Sequence, residues 1–281
     1  MQSPRMRVLV TGGSGGLGRY VVPALLARGF EVKAPSHAEL DITCEESVRT
    51  SLATLSPQVI VHLAALSNVD RCFYEPEEAS RLNVLGTEHL VRWARRGPLA
   101  SFVYMSTNDV FSECREGGPF DESRTPAPGM PYSWSKWAGE QAVLAIGGLV
   151  IRANFFTRHC NAKQSFAAYV IENAREGRKF ACYTNVLATP IFAGTLAERI
   201  GDAVQAGAAG ILHIATRDAV SRVTQAEEIC KAYGLPTNKI QSAPLLDRRG
   251  RPLDARLTSL REGLVGDVAE EIGKMVREEP L

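Results

Sequence analysis

Two short stretches of the chain carry residues whose types and spacing suit proton transfer to a carbonyl. Tyr132-Ser133-Trp134-Ser135-Lys136 sets a phenol and an ammonium four residues apart, which on a helix is one turn along one face. A Lys136 cation beside the phenol stabilises tyrosinate and draws its pKa down from about 10. Tyr132 can then act as general acid to a carbonyl that is accepting hydride. Upstream, Met105-Ser106-Thr107 ends an apolar run, where a hydroxyl can share the carbonyl's hydrogen bond. Thr107, Tyr132 and Lys136 are therefore the candidate catalytic residues. Lys136 can also hold the ribose of a nicotinamide cofactor, so Tyr132 and Lys136 double as cofactor contacts.

A hydride needs a donor, and the chain offers a place for a dinucleotide. Thr11 to Gly18 reads TGGSGGLG between an apolar strand and a helix. Backbone amides around Gly12, Gly15, Gly16, Leu17 and Gly18 can there face a pyrophosphate at the positive helix end. The G-x-x-G-x-x-G spacing, in place of G-x-G-x-x-G, points to short-chain dehydrogenases. Dinucleotide folds normally hold the ribose 2′-hydroxyl with an acid roughly 20 residues beyond the glycines, at the end of the second strand. That place falls on Ala34-Pro35-Ser36-His37. With no carboxylate in that run, and with Ser36, His37, Arg19 or Lys33 able to donate to a 2′-phosphate, NADP(H) is favoured over NAD(H).

Several further segments resemble an extended short-chain dehydrogenase/reductase, and within it the dTDP-4-dehydrorhamnose reductase type of nucleotide-sugar enzyme. Glu39-Leu40-Asp41-Ile42 is similar to the segment at the adenine, which brings in Asp41 and Ile42. His62-Leu63-Ala64-Ala65 resembles the cofactor-lining turn, which brings in Leu63, Ala64 and Ala65. Asn83-Val84-Leu85-Gly86-Thr87, Met105 to Phe111 and Pro131 to Glu140 are similar to further runs of that family. So are Ile151 to Phe156, Ala188 to Ile191, Gly210 to Ala215 and Arg251 to Leu257 in the later part of the chain. The resemblance implies reduction of a keto group on a nucleotide-linked deoxysugar, with substrate contacts at Thr107, Asn108, Asp109 and Asn154.

Two departures bear on that chemistry. After Thr107 the reductase pattern has Asp and then an aromatic, whereas this chain has Asn108 and then Asp109. Related dehydratases use Asp then Glu there, and an amide cannot donate a proton as an acid. Dehydration is disfavoured, while Asp109 as a base keeps epimerisation with returned hydride open. A non-catalytic NADP-binding regulatory subunit, like the relative that controls a methionine adenosyltransferase, is the alternative from another class. Thr157 to Asn161, TRHCN, lacks the family's glycine turn.

The elements that must position these groups follow from hydrophobic period. Short β-branched runs, each followed by an apolar pattern at helical spacing, give a βαβ rhythm. Strands are expected at Arg7 to Val10, Glu31 to Ala34, Gln58 to Leu63, Ser101 to Met105, Leu149 to Arg152 and Gly210 to Ala215. Helices are expected at Gly18 to Arg28, Glu45 to Ala53, Glu77 to Arg96, Ser135 to Ala145, Ser165 to Glu176 and Thr195 to Gln205, with more near the C-terminus. Ser112 to Met130 reads as a long polar loop. The fold class is α/β, a doubly wound parallel Rossmann sheet with a smaller C-terminal substrate domain. Residues 1–152 form the dinucleotide-binding domain and 153–281 most of the substrate domain, with a segment able to return to the first.

Composition sets the partners. With 32 basic and 31 acidic residues among 281, there is no electrostatic call for nucleic acid or an anionic membrane. No segment approaches the ~20 apolar residues of a membrane span, and MQSPRMR runs too soon into Val8-Leu9-Val10 for a secretory signal. The six scattered cysteines form no C-x-x-C and no metal pattern with the histidines, which reads as reduced thiols in a cytoplasmic protein. His213 reads as a core histidine, and Arg92, Arg95 and Arg96 as a solvated helix end. Trp134 and Trp137 lie on the helix that related enzymes pair across a homodimer interface.

Overall fold

Apolar runs without a polar break can be hidden only where both faces of a strand are covered. In the computed structural model, which describes residues 5–97, 99–159, 165–247 and 250–281, those runs build one central sheet. Its strands are β1 (Arg7–Thr11), β2 (Glu31–Lys33), β3 (Val59–His62), β4 (Ser101–Met105), β5 (Leu149–Arg152) and an edge strand Gly210–His213. The order runs from the edge strand through β5, β4, β3 and β1 to β2. β1 pairs in parallel with β2 and β3, β3 with β4, and β4 with β5. Leu9, Ile60, Phe102, Tyr104 and Val150 pack on one face with Leu52, Leu90 and Val143 from the helices. This is the expected doubly wound α/β fold. Its strand order reverses between β1 and β3, the crevice where such sheets bind ligands.

The helices of this part are α1 (Gly18–Ala27), α2 (Glu45–Leu55), α3 (Val69–Tyr74), α4 (Pro76–Ser80), α5 (Gly86–Ala94) and α6 (Pro131–Leu144). Three differ from the sequence expectation. The single helix Glu77 to Arg96 is instead α4, a π-helical turn Arg81–Leu85, and α5, because Asn83 is drawn into the hydrogen bonds described below. α6 begins at Pro131 rather than Ser135. Proline suits a first helical position, and the Ser133 hydroxyl accepts from the Met130 amide at 3.3 Å. Tyr132 thus lies in the first turn of α6. The unanticipated α3 is capped by Asn68, whose side chain accepts from the Arg71 amide at 3.0 Å.

By compactness the chain divides into one unit of residues 1–107, 130–152 and 197–212, and another of 108–129, 153–196 and 213–281. Residues 108–129 group with the later residues, and 197–212 with the earlier ones. Within the second unit, Phe180–Tyr183 pairs in parallel with Ile240–Ala243, and Leu187–Ala188 antiparallel with Val220–Ser221. Helices Phe166–Arg175, Arg222–Ala232 and Val268–Glu278 accompany them. The expected strand Gly210 to Ala215 is interrupted after His213, and Ala215–Thr216 pairs with Leu264–Val265. His213 is fully buried, its Nδ1 3.1 Å from the Phe120 carbonyl. Among the described residues no helix is long and apolar enough to cross a membrane. Cys44, Cys72, Cys114, Cys182 and Cys230 are in no disulfide; Cys160 and Asn161 lie outside the described residues.

Candidate active site

The glycine loop leaves β1 at the switch point, and two of its glycines are required by close approach. Gly12 has φ 72°, and a Cβ there would stand 2.7 Å from the Ala64 amide nitrogen. A Cβ on Gly18 would stand 2.4 Å from the Gly12 carbonyl oxygen. The loop is closed by the Gly15 amide donating to the Gly12 carbonyl at 3.0 Å, and Leu17 is buried. Beside it, the Leu63 amide donates to the Thr11 carbonyl at 3.1 Å, and Ala64 and Ala65 continue the turn after β3. Gly12, Gly15, Gly16, Leu17, Gly18, Leu63, Ala64 and Ala65 therefore belong to two loops side by side at the carboxyl ends of β1 and β3.

A buried polar chain runs from this loop to α6. The Ala64 amide donates to Thr11 Oγ1 at 3.3 Å, and Thr11 Oγ1 lies 2.6 Å from His62 Nδ1. His62 Nε2 lies 3.0 Å from Thr87 Oγ1, whose hydroxyl donates to the Asn83 carbonyl at 2.7 Å. His62 therefore carries its hydrogen on Nε2 and accepts from Thr11 on Nδ1. Burial, reinforced by Lys136, pushes its pKa down to about 3, so the ring stays neutral. Asn83 Nδ2 then donates to Ser135 Oγ at 2.9 Å, and Ser135 donates to the Tyr132 carbonyl at 2.8 Å. The sequence places His62, Asn83 and Ser135 in family-like runs but assigns none of them a role.

Lys136 is buried, its Nζ 4.0 Å above the centre of the Tyr104 ring. No acceptor among the described residues takes a hydrogen bond from it. Burial pushes its pKa down to about 7 against the opposing charge of Glu140. A buried ammonium without an acceptor fits ribose hydroxyls brought by a dinucleotide, as the tight glycine loop fits a pyrophosphate. A bound dinucleotide supplies hydroxyls and negative charge, which favour the charged lysine. Cofactor binding near pH 8 is therefore expected to take up as much as about one proton. Calorimetry in buffers of different ionisation enthalpy reads this, and Lys136→Met should abolish it. No uptake, or uptake unchanged in the variant, would contradict the assignment.

Thr107 follows β4 and is buried, and Tyr132 is partly exposed one turn before Lys136. Behind Thr107 lies a buried ion pair: Arg152 Nη2 and Nε donate to Glu140 at 2.6 and 3.0 Å, and the Ser106 hydroxyl also donates to Glu140. The two charged side chains are 1% and 0% exposed. Gly139 is a glycine because a Cβ would meet the Tyr104 hydroxyl at 2.3 Å. The pair ties α6 to β4 and β5, and so holds the elements that carry Tyr132 and Thr107.

The adenine-side residues require one correction. Ser36 is exposed, but its amide and hydroxyl both donate to the Glu39 carboxylate, at 2.7 and 2.8 Å. An acid absent from Ala34 to His37 is thus present beside Ser36 through a one-turn S-x-x-E arrangement. Asp41 accepts from the amide and hydroxyl of Thr43 at 2.9 and 2.8 Å, which holds its carboxyl below the usual range. Ile42 is buried and would touch any Cβ on Gly86. Lys33 stays half exposed, 3.7 Å from Glu31, and Arg92 pairs with Glu45 at 2.7 Å.

In the second unit, Asn108 is buried and donates to the Ala255 carbonyl at 3.1 Å, and Asn154 Nδ2 donates to Asn108 Oδ1 at 3.4 Å. The Asn154 carbonyl accepts from the Ile191 amide at 2.9 Å. Asp109 is partly exposed, and its charge helps hold Arg222 protonated.

Residues 6–261 match the family described as the RmlD substrate binding domain. The chain belongs to that family. Relatives extend along most of it. A dTDP-4-dehydrorhamnose reductase of Streptomyces griseus is 34% identical over 75% of this chain and 70% of its own. Methionine adenosyltransferase 2 subunit beta of Danio rerio is 28% identical over 94% of this chain and 86% of its own. The crystal structure of dTDP-4-dehydrorhamnose reductase from Bacillus anthracis in complex with NADP superposes with a TM-score of 0.88 at 24% identity. It covers 98% of this chain and 100% of that one. The RmlD-family fold and motifs here are those of an extended short-chain dehydrogenase/reductase.

Proposed function

We propose that this protein reduces a keto group on a nucleotide-linked deoxysugar, as a cytoplasmic homodimer. The observation that carries the reading is Lys136: a buried ammonium without an acceptor, one helical turn from Tyr132, in a chain that also has a glycine cradle too tight for any side chain. A dinucleotide, when bound, supplies hydride to the carbonyl carbon. Tyr132 donates the proton at its phenol oxygen to the carbonyl oxygen, and Lys136 stabilises the tyrosinate left behind. Thr107 anchors the same carbonyl oxygen. The exposed Trp134 on α6 suits the dimer face.

NADP(H) is the favoured donor, by a margin that the Glu39 carboxylate keeps small, since it competes for Ser36 and repels a 2′-phosphate. The test supplies a 4-keto-6-deoxy nucleotide sugar with NADPH or NADH and follows cofactor oxidation. Oxidation in step with product supports the reading. Absence of oxidation with every keto sugar tried refutes it. Glu39→Gln should widen the preference for NADPH several-fold, and an unchanged ratio would show that Glu39 does not set it.

The epimerase reading needs Asp109 as a base that removes a carbon-bound proton, with the hydride returned to the same sugar. The Danio rerio relative is by name a subunit of another enzyme, and the second reading is a non-catalytic NADP-binding subunit. A stable complex with another enzyme, together with no turnover, would favour it.

A further inference from the structure

Lys136 has no hydrogen-bond acceptor among the described residues, but Tyr104 of β4 meets it twice. The face of the Tyr104 ring lies under the ammonium, with Nζ 4.0 Å from the ring centre. The Tyr104 hydroxyl donates to the Lys136 backbone carbonyl at 3.4 Å. Tyr104 is itself fully buried. The helix α6 makes room for it, since a Cβ on Gly139 would stand 2.3 Å from the hydroxyl oxygen and 2.7 Å from Cζ.

A buried ammonium is costly where neither water nor an acceptor reaches it. The negative face of an aromatic ring offsets part of that cost, and more of it where water is excluded. Burial, and then the charge of Glu140, push the Tyr104 phenol well above its usual pKa. The ring therefore stays neutral, and the contact is a cation on a π face. The other titratable groups around Lys136 are Glu140 and Tyr132 on its own helix, Cys72 on α3 and His62 on β3. Glu140 is taken up by Arg152 of β5 and by Ser106. Cys72 donates its thiol hydrogen to the Leu66 carbonyl at 3.3 Å. His62 is neutral and held between Thr11 and Thr87. The ring face is thus the contact that fixes where the ammonium sits.

We propose that Tyr104 is a positioning residue for the reaction: its ring face holds the Lys136 ammonium in place before a dinucleotide arrives, so that the ribose meets a preset cation. The inference rests on the reading of Lys136 as the group that faces ribose and Tyr132. Tyr104 acts only through Lys136.

The test is proton uptake on binding NADPH, measured by calorimetry in buffers of different ionisation enthalpy from pH 6 to pH 9. Below the pKa of Lys136 in the free protein the lysine is already charged, and binding takes up nothing. Above it the lysine is neutral, and binding must charge it. Burial, against the opposing charge of Glu140, puts that pKa at about 7, so half-maximal uptake in the parent is expected near there. Tyr104→Leu should move the midpoint down by about 0.5–1 pH unit, because only the charged lysine loses the ring. NADPH affinity should then fall by about threefold to tenfold at pH 8 and far less at pH 6. Tyr104→Phe keeps the ring and should keep the parent midpoint. Tyr104→Phe carrying ring fluorines has nearly the same shape with a depleted face, and should shift the midpoint as Tyr104→Leu does. That variant decides if Tyr104→Leu does not fold. A midpoint unmoved or raised when the ring face is lost or depleted would make Tyr104 a packing residue and overturn the proposal, as would equal affinity losses at pH 6 and pH 8. A parent that binds NADPH without proton uptake overturns the reading of Lys136 and this inference together; a parent with uptake and indifferent variants overturns the inference alone.

Discussion

Replacing Tyr132 by phenylalanine is expected to lower turnover by about 10²–10⁴-fold, the range for loss of a positioned general acid, while cofactor affinity and folding persist. The separation follows from the geometry. The Tyr132 phenol lies in the first turn of α6, and the hydrogen bond that ties this turn inward comes from Ser135 to the Tyr132 carbonyl, 2.8 Å away, which the substitution leaves intact. Lys136 keeps its place over the Tyr104 ring, so the ribose site survives. Turnover and fluorescence titration of cofactor on one preparation measure both. A Tyr132→Phe protein as active as the parent would remove the phenol from the mechanism.

The second large effect concerns the buried pair of Glu140 and Arg152. Breaking it leaves an uncompensated charge in the buried interior, a cost of about 3–5 kcal/mol. Glu140→Leu and Arg152→Met should each lose about that much stability in urea unfolding. The double variant should lose far less than the sum, because two apolar side chains leave no stranded charge. Additive losses, or single losses below about 1 kcal/mol, would show that the pair is not desolvated as its 1% and 0% exposure indicates. Glu140→Leu should also reach Lys136, since Glu140 is the charge that holds its pKa up against burial.

The parts that were legible in the sequence are those whose cause is local. Ser101–Met105 and Leu149–Arg152 are strands over the residues read from their apolar runs, because strands buried on both faces leave no polar break. The glycine loop was legible because only glycine fits Gly12 and Gly18. What escaped is set by distant partners. The π turn at Arg81–Leu85 exists because Asn83 reaches Leu66 and Ser135, at 2.8 and 2.9 Å, and helical periodicity holds no trace of that pull. Glu140 was read as part of a motif, but nothing in its spacing from Arg152 announces a buried pair. Glu39 is the instructive miss. Ser36 and Glu39 form an S-x-x-E pattern whose carboxylate lies beyond the Ala34 to His37 run in sequence but beside Ser36 in the fold.

The central claim is that hydride leaves the cofactor for good and arrives on a carbonyl carbon with Tyr132 as proton donor. One incubation tests it: a 4-keto-6-deoxy nucleotide sugar with reduced cofactor in heavy water, cofactor absorbance and product mass followed together. The predicted result is loss of one reduced cofactor per product, hydride on the former carbonyl carbon, and no obligatory deuterium on the neighbouring carbon. Product formed without net cofactor oxidation, carrying deuterium on that neighbouring carbon and abolished by Asp109→Asn, would contradict it and establish the epimerase.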